Sequence, residues 1–175
     1  EPFLAHLKTA LGQAVVGDPT ALETTVGPMA RPDLRDAPHR QVQASIQAGA
    51  KVAMGGTLPG GPGCFYPVTL LTQVGPGMPA WDEELFGPVA TLHVAADREA
   101  AIAAANDSAY GLGASLWSAD TERAQCTAAR LQVGNVFING MTRSDPRLPF
   151  GGRSLSGYGR ELSAEGIREF VNAKT

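Results

Sequence analysis

The sequence is poor in cysteine, lacks any cluster of basic residues, and contains no uninterrupted apolar run of membrane-spanning length. Two cysteines, Cys64 and Cys126, in 175 residues do not make a disulfide framework, so a reducing cytoplasm is the expected setting. Neither cysteine lies in a CxxC pair or beside a histidine at metal-ligand spacing, and His6, His39 and His93 are far apart. No metal site is expected. The 14 Lys and Arg residues are dispersed and the formal charge is −3. That argues against nucleic acid and against an anionic membrane as partners. The apolar-leaning stretch 100–117 is broken by Asn106, Asp107 and Ser108, so no membrane-spanning helix is expected. No signal peptide is expected, and the first residue is Glu1 rather than Met. Internal repeats, a low-complexity tail, a linker and a GxSxG motif are also missing. The chain reads as one domain, or most of one.

What is present is an apolar fraction of 43%, enough for a core, arranged in alternating helical and extended patterns. Phe3, Leu4, Leu7, Leu11 and Ala14 recur at helical spacing and predict a helix over 2–15. Residues 17–28 carry breakers and read as loop. A second helix is predicted over 33–48, with Gly49 as its stop. Pro38 is tolerated in that helix only within the first turn, where the missing N–H costs nothing. Strands are predicted over 51–54, 67–74, 89–95, 114–117 and 136–138, the last fully apolar. Asp97 and Asp120 stand where N-caps belong, before helices running to about Asn106 and Leu131. A glycine-rich turn over 151–159 and a helix over 163–171 complete the pattern. Short strands alternating with longer helices imply an α/β layered sheet.

Taken one at a time, the motifs have ordinary readings. Gly157-Tyr158-Gly159 could open a GxGxxG phosphate loop, but Leu162 holds the sixth position and no strand leads into it; a tight structural turn is the better reading. Cys126 is flanked by helical alanines and suits a small core residue. Cys64, in Gly63-Cys64-Phe65, is the better candidate nucleophile of the two, though structural packing is favoured for both. Asp82-Glu83-Glu84 could be paired acids or a solvated surface run. The run continues into Leu85-Phe86-Gly87-Pro88-Val89, an apolar turn that would constrain it.

Four segments together carry a resemblance. Glu83-Glu84-Leu85-Phe86-Gly87-Pro88-Val89 resembles the EE-[IL]-FGPV motif of the aldehyde dehydrogenases. Ala105-Asn106 through Tyr110-Gly111-Leu112 resembles their AN-x-x-x-YGL segment, and Gly134-Asn135-Val136-Phe137-Ile138-Asn139 their G-x-V-x-[IV]-N strand. Pro149-Phe150-Gly151-Gly152 followed by Ser156-Gly157-Tyr158-Gly159-Arg160-Glu161 resembles PFGG-x-x-x-SG-x-GRE. They occur in the family's order across nearly the whole chain. The resemblance implies an α/β/α open sheet of the aldehyde dehydrogenase catalytic-domain type. It implies oxidation of an aldehyde to an acid through a thioester, with NAD or NADP as cofactor.

The resemblance also assigns residues. Glu84 is implied to accept hydrogen bonds from the nicotinamide ribose, Phe86 to pack against the nicotinamide, and Phe150 to line the aldehyde pocket. Asn106, Gly111 and Arg160 are implied to be structural. By the same comparison, residues 1–175 are expected to be a partial catalytic domain. The coenzyme-binding domain with its general-base glutamate, the catalytic-cysteine segment and the final oligomerisation strand would lie outside it, and the stretch alone is expected to be inactive. The whole protein is expected to be a homodimer or homotetramer, although Asn172 replaces a glutamate that in some relatives pairs with the arginine matching Arg160. Gly27-Pro28-Met29-Ala30-Arg31, Asp33-Leu34-Arg35-Asp36, Phe137-Ile138-Asn139-Gly140 and Ser144-Asp145 resemble most the bacterial succinate-semialdehyde dehydrogenases that accept NAD or NADP. On that reading Ser144 bonds the substrate carboxylate, with Arg143 and Arg147 as nearby cations. The competing reading is a non-catalytic truncated or degenerate relative serving binding or assembly.

Overall fold

The computed structural model describes residues 2–175. The chain is of the α/β class and divides into two compact units, Glu1–Val94 and Ala95–Thr175.

In the first unit, helix α1 (Pro2–Leu11) ends earlier than the apolar spacing suggests. At Gly12 the last α-type bond forms, Gly12 N–H to Lys8 O at 2.9 Å, and the next two amides close tighter turns on Ala10 and Leu11. Helix α2 (Pro32–Gln47) corrects the expectation for Pro38. The residue sits seventh in the helix, beyond the first turn, and its ring is fully buried. Its partner is Gly87, where even a Cβ would lie 3.3 Å from the Pro38 ring. Burial of the ring against a distant turn compensates the hydrogen bond that proline cannot make. The helix stops as predicted, with Gly49 at φ +114° and its N–H on Ile46 O.

Strands β1 (Lys51–Met54), β2 (Thr69–Thr72) and β3 (Val89–Leu92) form one sheet with β2 central. β1 runs antiparallel to β2, and β3 runs parallel to it in the register Thr69 to Val89 through Thr72 to Leu92. A central strand must be apolar on both faces, and Thr69, Leu70 and Leu71 are all buried. A four-residue helix, α3 (Pro79–Asp82), lies in the β2–β3 connection, where the sequence pattern shows no helix. The core joins α2 to β2 and α3 through Val42, Ala50, Leu71, Val74 and Ala80, with Trp81 and Leu85 packed on it.

In the second unit, α4 (Arg98–Asn106) and α5 (Thr121–Ala128) begin at the predicted caps. The Asp97 carboxylate accepts from Ala100 N–H at 2.8 Å and Asp120 from Arg123 N–H at 2.9 Å. Asp97→Ala is expected to cost about 0.5–2 kcal/mol and Asp97→Asn much less, read as a shift in Tm. Strands β4 (Gly113–Leu116) and β5 (Asn135–Ile138) pair in parallel through α5. Every residue of β5 is half-buried. After a single 3-10 turn, Ser154–Ser156, the short helix α6 (Ser163–Arg168) closes the unit. Among the described residues no helix is long and apolar enough to cross a membrane.

Candidate functional site

The predicted site residues fall into two groups, one in each unit. The first is the turn 83–88. Glu83 and Glu84 are exposed and follow α3 directly, with Glu83 N–H bonded to Pro79 O at 3.0 Å. The turn is not free. Gln41 Nε2, on α2, donates to Glu83 Oε2 at 2.7 Å and to Glu84 O at 3.2 Å. Leu85 packs into the core, Gly87 N–H bonds Leu85 O at 2.9 Å, and Gly87 rests on Pro38. The loop is therefore constrained, as its apolar continuation suggests, and Glu83 supplies part of the constraint. The Glu84 side chain forms no hydrogen bond or ion pair with the described residues, which leaves both carboxylate oxygens open to an outside donor. Two residues on, Phe86 is 71% exposed. A large ring held in water costs free energy unless something covers it, and this one lies two residues from an unpaired carboxylate.

The second group surrounds Phe150. Its backbone exchanges two hydrogen bonds with Glu161, at 2.9 and 2.8 Å. The neighbouring Gly151 carbonyl is fixed by Asn135 Nδ2 at 2.8 Å, and the same amide group bonds Leu112 O at 3.0 Å. One side chain thus ties β4, β5 and the Phe150-Gly151 turn together. The approach is so close that a Cβ on Gly134 would fall on the Gly151 carbonyl oxygen. Beyond it, Gly157 and Gly159 adopt φ +110° and +76°, which supports the tight-turn reading. Arg160 Nη1 bonds the carbonyls of Gly152 and Gly159, a structural duty that does not involve Asn172. Asn106 is structural too: its amide takes Gln132 N–H at 2.8 Å and gives to Arg130 O at 3.0 Å.

Phe150 borders a cavity of about 330 Å³ with Phe137, Ile138, Arg143, Asp145 and Leu148. The loop 141–147, which contributes Arg143 and Asp145 to its lining, is anchored twice, by Thr142 N–H on Ser115 Oγ at 2.9 Å and by Ser163 N–H on Pro146 O at 3.1 Å. The two arginines differ. Arg147 makes a two-pronged bond to Asp145, at 2.9 and 2.7 Å, with its side chain 85% exposed, and it does not line the cavity. That bond holds the Asp145 carboxyl far below the usual carboxylate range. Arg143 lines the cavity and forms no hydrogen bond or ion pair among the described residues. It lies within electrostatic reach of the Asp145 carboxylate, which lines the same space. Ser144 is exposed and is not among the lining residues.

Neither cysteine joins these groups. Cys64 is half-buried, with its carbonyl accepting Met29 N–H at 2.8 Å. Cys126 is exposed on α5 rather than packed in a core, which corrects the expectation from its alanine neighbours. Sequence reasoning missed Gln41 and Asn135 as organisers. Asn135 lies within the segment that resembles G-x-V-x-[IV]-N, but nothing in the pattern around Gln41 marks it.

The chain is 49% identical over its whole length to a probable succinate-semialdehyde dehydrogenase [NADP(+)] of Synechocystis sp., covering 38% of that protein. It is 46% identical over 99% of its length to the succinate semialdehyde dehydrogenase [NAD(P)+] Sad of Escherichia coli, covering 37% of it. Among solved structures, the succinic semialdehyde dehydrogenase of Streptococcus pyogenes in complex with NADP+ superposes with a TM-score of 0.93. That match has 37% identity and covers 98% of this chain and 38% of that one. The betaine aldehyde dehydrogenase of Staphylococcus aureus in complex with NAD+ gives 0.89 at 32% identity, covering 97% and 34%. The chain therefore spans less than two fifths of the length of these relatives. The match to the aldehyde dehydrogenase family runs over residues 1–175, and the chain belongs to that family.

Proposed function

We propose that this chain is part of a cytoplasmic, homo-oligomeric NAD- or NADP-dependent aldehyde dehydrogenase that oxidises succinate semialdehyde to the dicarboxylic acid. The observation that carries the cofactor part is the free, exposed Glu84 carboxylate on a turn pinned from α2, with the exposed Phe86 ring beside it. These groups fit a nicotinamide riboside. An ionised carboxylate accepts from two vicinal hydroxyls at once, each bond being charge-assisted, and an aromatic face covers a flat heterocycle. When bound, the cofactor supplies the hydride acceptor. The chain's own part is to fix the ribose through Glu84 and limit ring motion through Phe86, because hydride transfer demands a narrow range of approach. Cys64 and Cys126 lie in neither site group, so neither is proposed as the nucleophile.

The substrate part rests on Arg143. A cavity with aromatic and aliphatic walls, lined by an arginine that has no hydrogen-bond partner, suits a short aldehyde with a distal carboxylate, bound through two parallel N–H bonds. Arg147 contributes less, because Asp145 already occupies its fork. Ser144 belongs to the same anchored loop and brings a hydroxyl donor, but it is not among the residues that line the cavity. Several relatives named as succinate-semialdehyde dehydrogenases support the assignment. In the full-length enzyme, Arg143→Met is expected to raise KM for succinate semialdehyde while sparing butyraldehyde, which has the same carbon count and no charge. Loss of one bond to a charged group is worth about 1.5–3 kcal/mol. Equal effects on both aldehydes, or a wild-type preference for butyraldehyde, would remove the carboxylate reading.

A further inference from the structure

Three residues on one face of α2, Pro38, Gln41 and Ser45, grip three successive parts of the segment 80–87. Ser45 is completely buried. Its Oγ accepts Ala80 N–H at 2.9 Å and donates to Gln41 O at 2.8 Å, so the start of the segment is tied to the helix backbone. Gln41 reaches the middle, at Glu83 and Glu84, and Pro38 supports the end, at Gly87. The three positions are spaced by three and four residues, which places them along one stripe of the helix.

The chemistry at Gln41 is specific. Both atoms it meets, Glu83 Oε2 and Glu84 O, are acceptors only. The amide must therefore present its NH₂, and its two N–H groups match two acceptors. A neutral donor also leaves the Glu84 carboxylate unpaired, whereas a cation reaching the same turn would compete for it. The Glu84 backbone is thus held through its carbonyl while its side chain stays open.

We propose that Gln41 is a positioning residue for Glu84, acting through the Glu83 carboxylate and the Glu84 carbonyl, and that Glu83 serves as a strut rather than a ligand. This rests on the reading of Glu84 as the ribose ligand. Glu83 and Glu84 are adjacent acids with opposite duties: one is consumed by the scaffold so that the other stays available.

The test uses the full-length enzyme with Gln41→Met, which keeps length and apolar bulk but removes both donors, and Glu83→Ala. Three quantities are read: amide hydrogen exchange of residues 83–87 without cofactor, the single-turnover rate of hydride transfer, and KM for the aldehyde. Gln41→Met is expected to speed exchange in that segment and to slow hydride transfer roughly ten- to hundredfold, with aldehyde KM moving less than about twofold. Glu83→Ala is expected to have a smaller effect, because the bond to the Glu84 carbonyl remains, and to add almost nothing in the Gln41→Met background. Should Gln41→Met fold poorly, Glu83→Ala carries the test by itself. Unchanged exchange in 83–87 overturns the clamp. Faster exchange with unchanged hydride transfer also overturns the proposal; if Glu84→Gln is equally silent, the fault lies in the ribose reading, and if Glu84→Gln is slow, it lies in the coupling from Gln41 to Glu84.

Discussion

Gly134→Ala is expected to destabilise the second unit by about 3 kcal/mol or more and to displace Phe150. The added Cβ would collide with the Gly151 carbonyl oxygen and approach Gly152 Cα at 3.2 Å. Both are backbone, so no rotamer change relieves the clash. Overpacking typically costs about 1–3 kcal/mol where side chains can shift, and a backbone-on-backbone collision belongs at the top of that range or beyond. Relief requires the 151–152 strand of chain to move away from β5. That would break the Asn135 bond to Gly151 O and shift the Phe150 wall of the cavity. The expected readouts in the full-length protein are a lowered Tm and faster amide exchange at residues 150–152. In whatever fraction remains folded, loss of aldehyde affinity should exceed loss of cofactor affinity. A variant with wild-type Tm would mean that the close approach at Gly134 is not a constraint on the fold.

How much of this was legible depends on how local the physics is. The caps at Asp97 and Asp120 are decided within three residues by a carboxylate and a backbone N–H, and both were readable. So was the stop at Gly49, because positive φ is written into glycine. Pro38 was misread because the local rule weighs only the lost N–H, while its compensation comes from Gly87 far along the chain. Helix α3 was invisible for the same reason, since its first turn depends on Ser45 Oγ bonding Ala80 N–H across 35 residues.

The site follows the same division. Glu84, Phe86 and Phe150 could be picked out because they lie in recognisable motifs, and Arg143 because it is a cation beside one. Ranking Arg143 above Arg147 needed the Asp145 pairing. That pairing is only two residues long, yet it competes with solvent in a way that spacing does not resolve. Gln41 carries no motif, and its partners lie 42 and 43 residues away.

In the full-length enzyme Glu84→Gln should slow hydride transfer far more than it weakens overall cofactor binding. The amide keeps the shape and the Gln41 bond to the Glu84 carbonyl, but it would replace the two charge-assisted hydroxyl bonds proposed for Glu84 by weaker ones. Bonds to a charged group are worth about 1.5–3 kcal/mol each. Partial loss of two of them corresponds to roughly a hundredfold in rate when the lost contact is one that orients the reacting ring. Cofactor affinity should suffer less, because other contacts of the dinucleotide are untouched and a loosely held nicotinamide still leaves the rest bound. Phe86→Ala should push in the same direction, removing the apolar face proposed to limit ring motion.

The measurement that tests the central claim most directly is single-turnover hydride transfer in Glu84→Gln, followed as NADH or NADPH absorbance. It should be made with saturating cofactor and succinate semialdehyde, beside a cofactor dissociation constant from the same preparation. The expected result is a rate lowered by about two orders of magnitude with a dissociation constant raised less than about tenfold. A wild-type hydride-transfer rate would contradict the account and return Glu84 to a solvated surface acid.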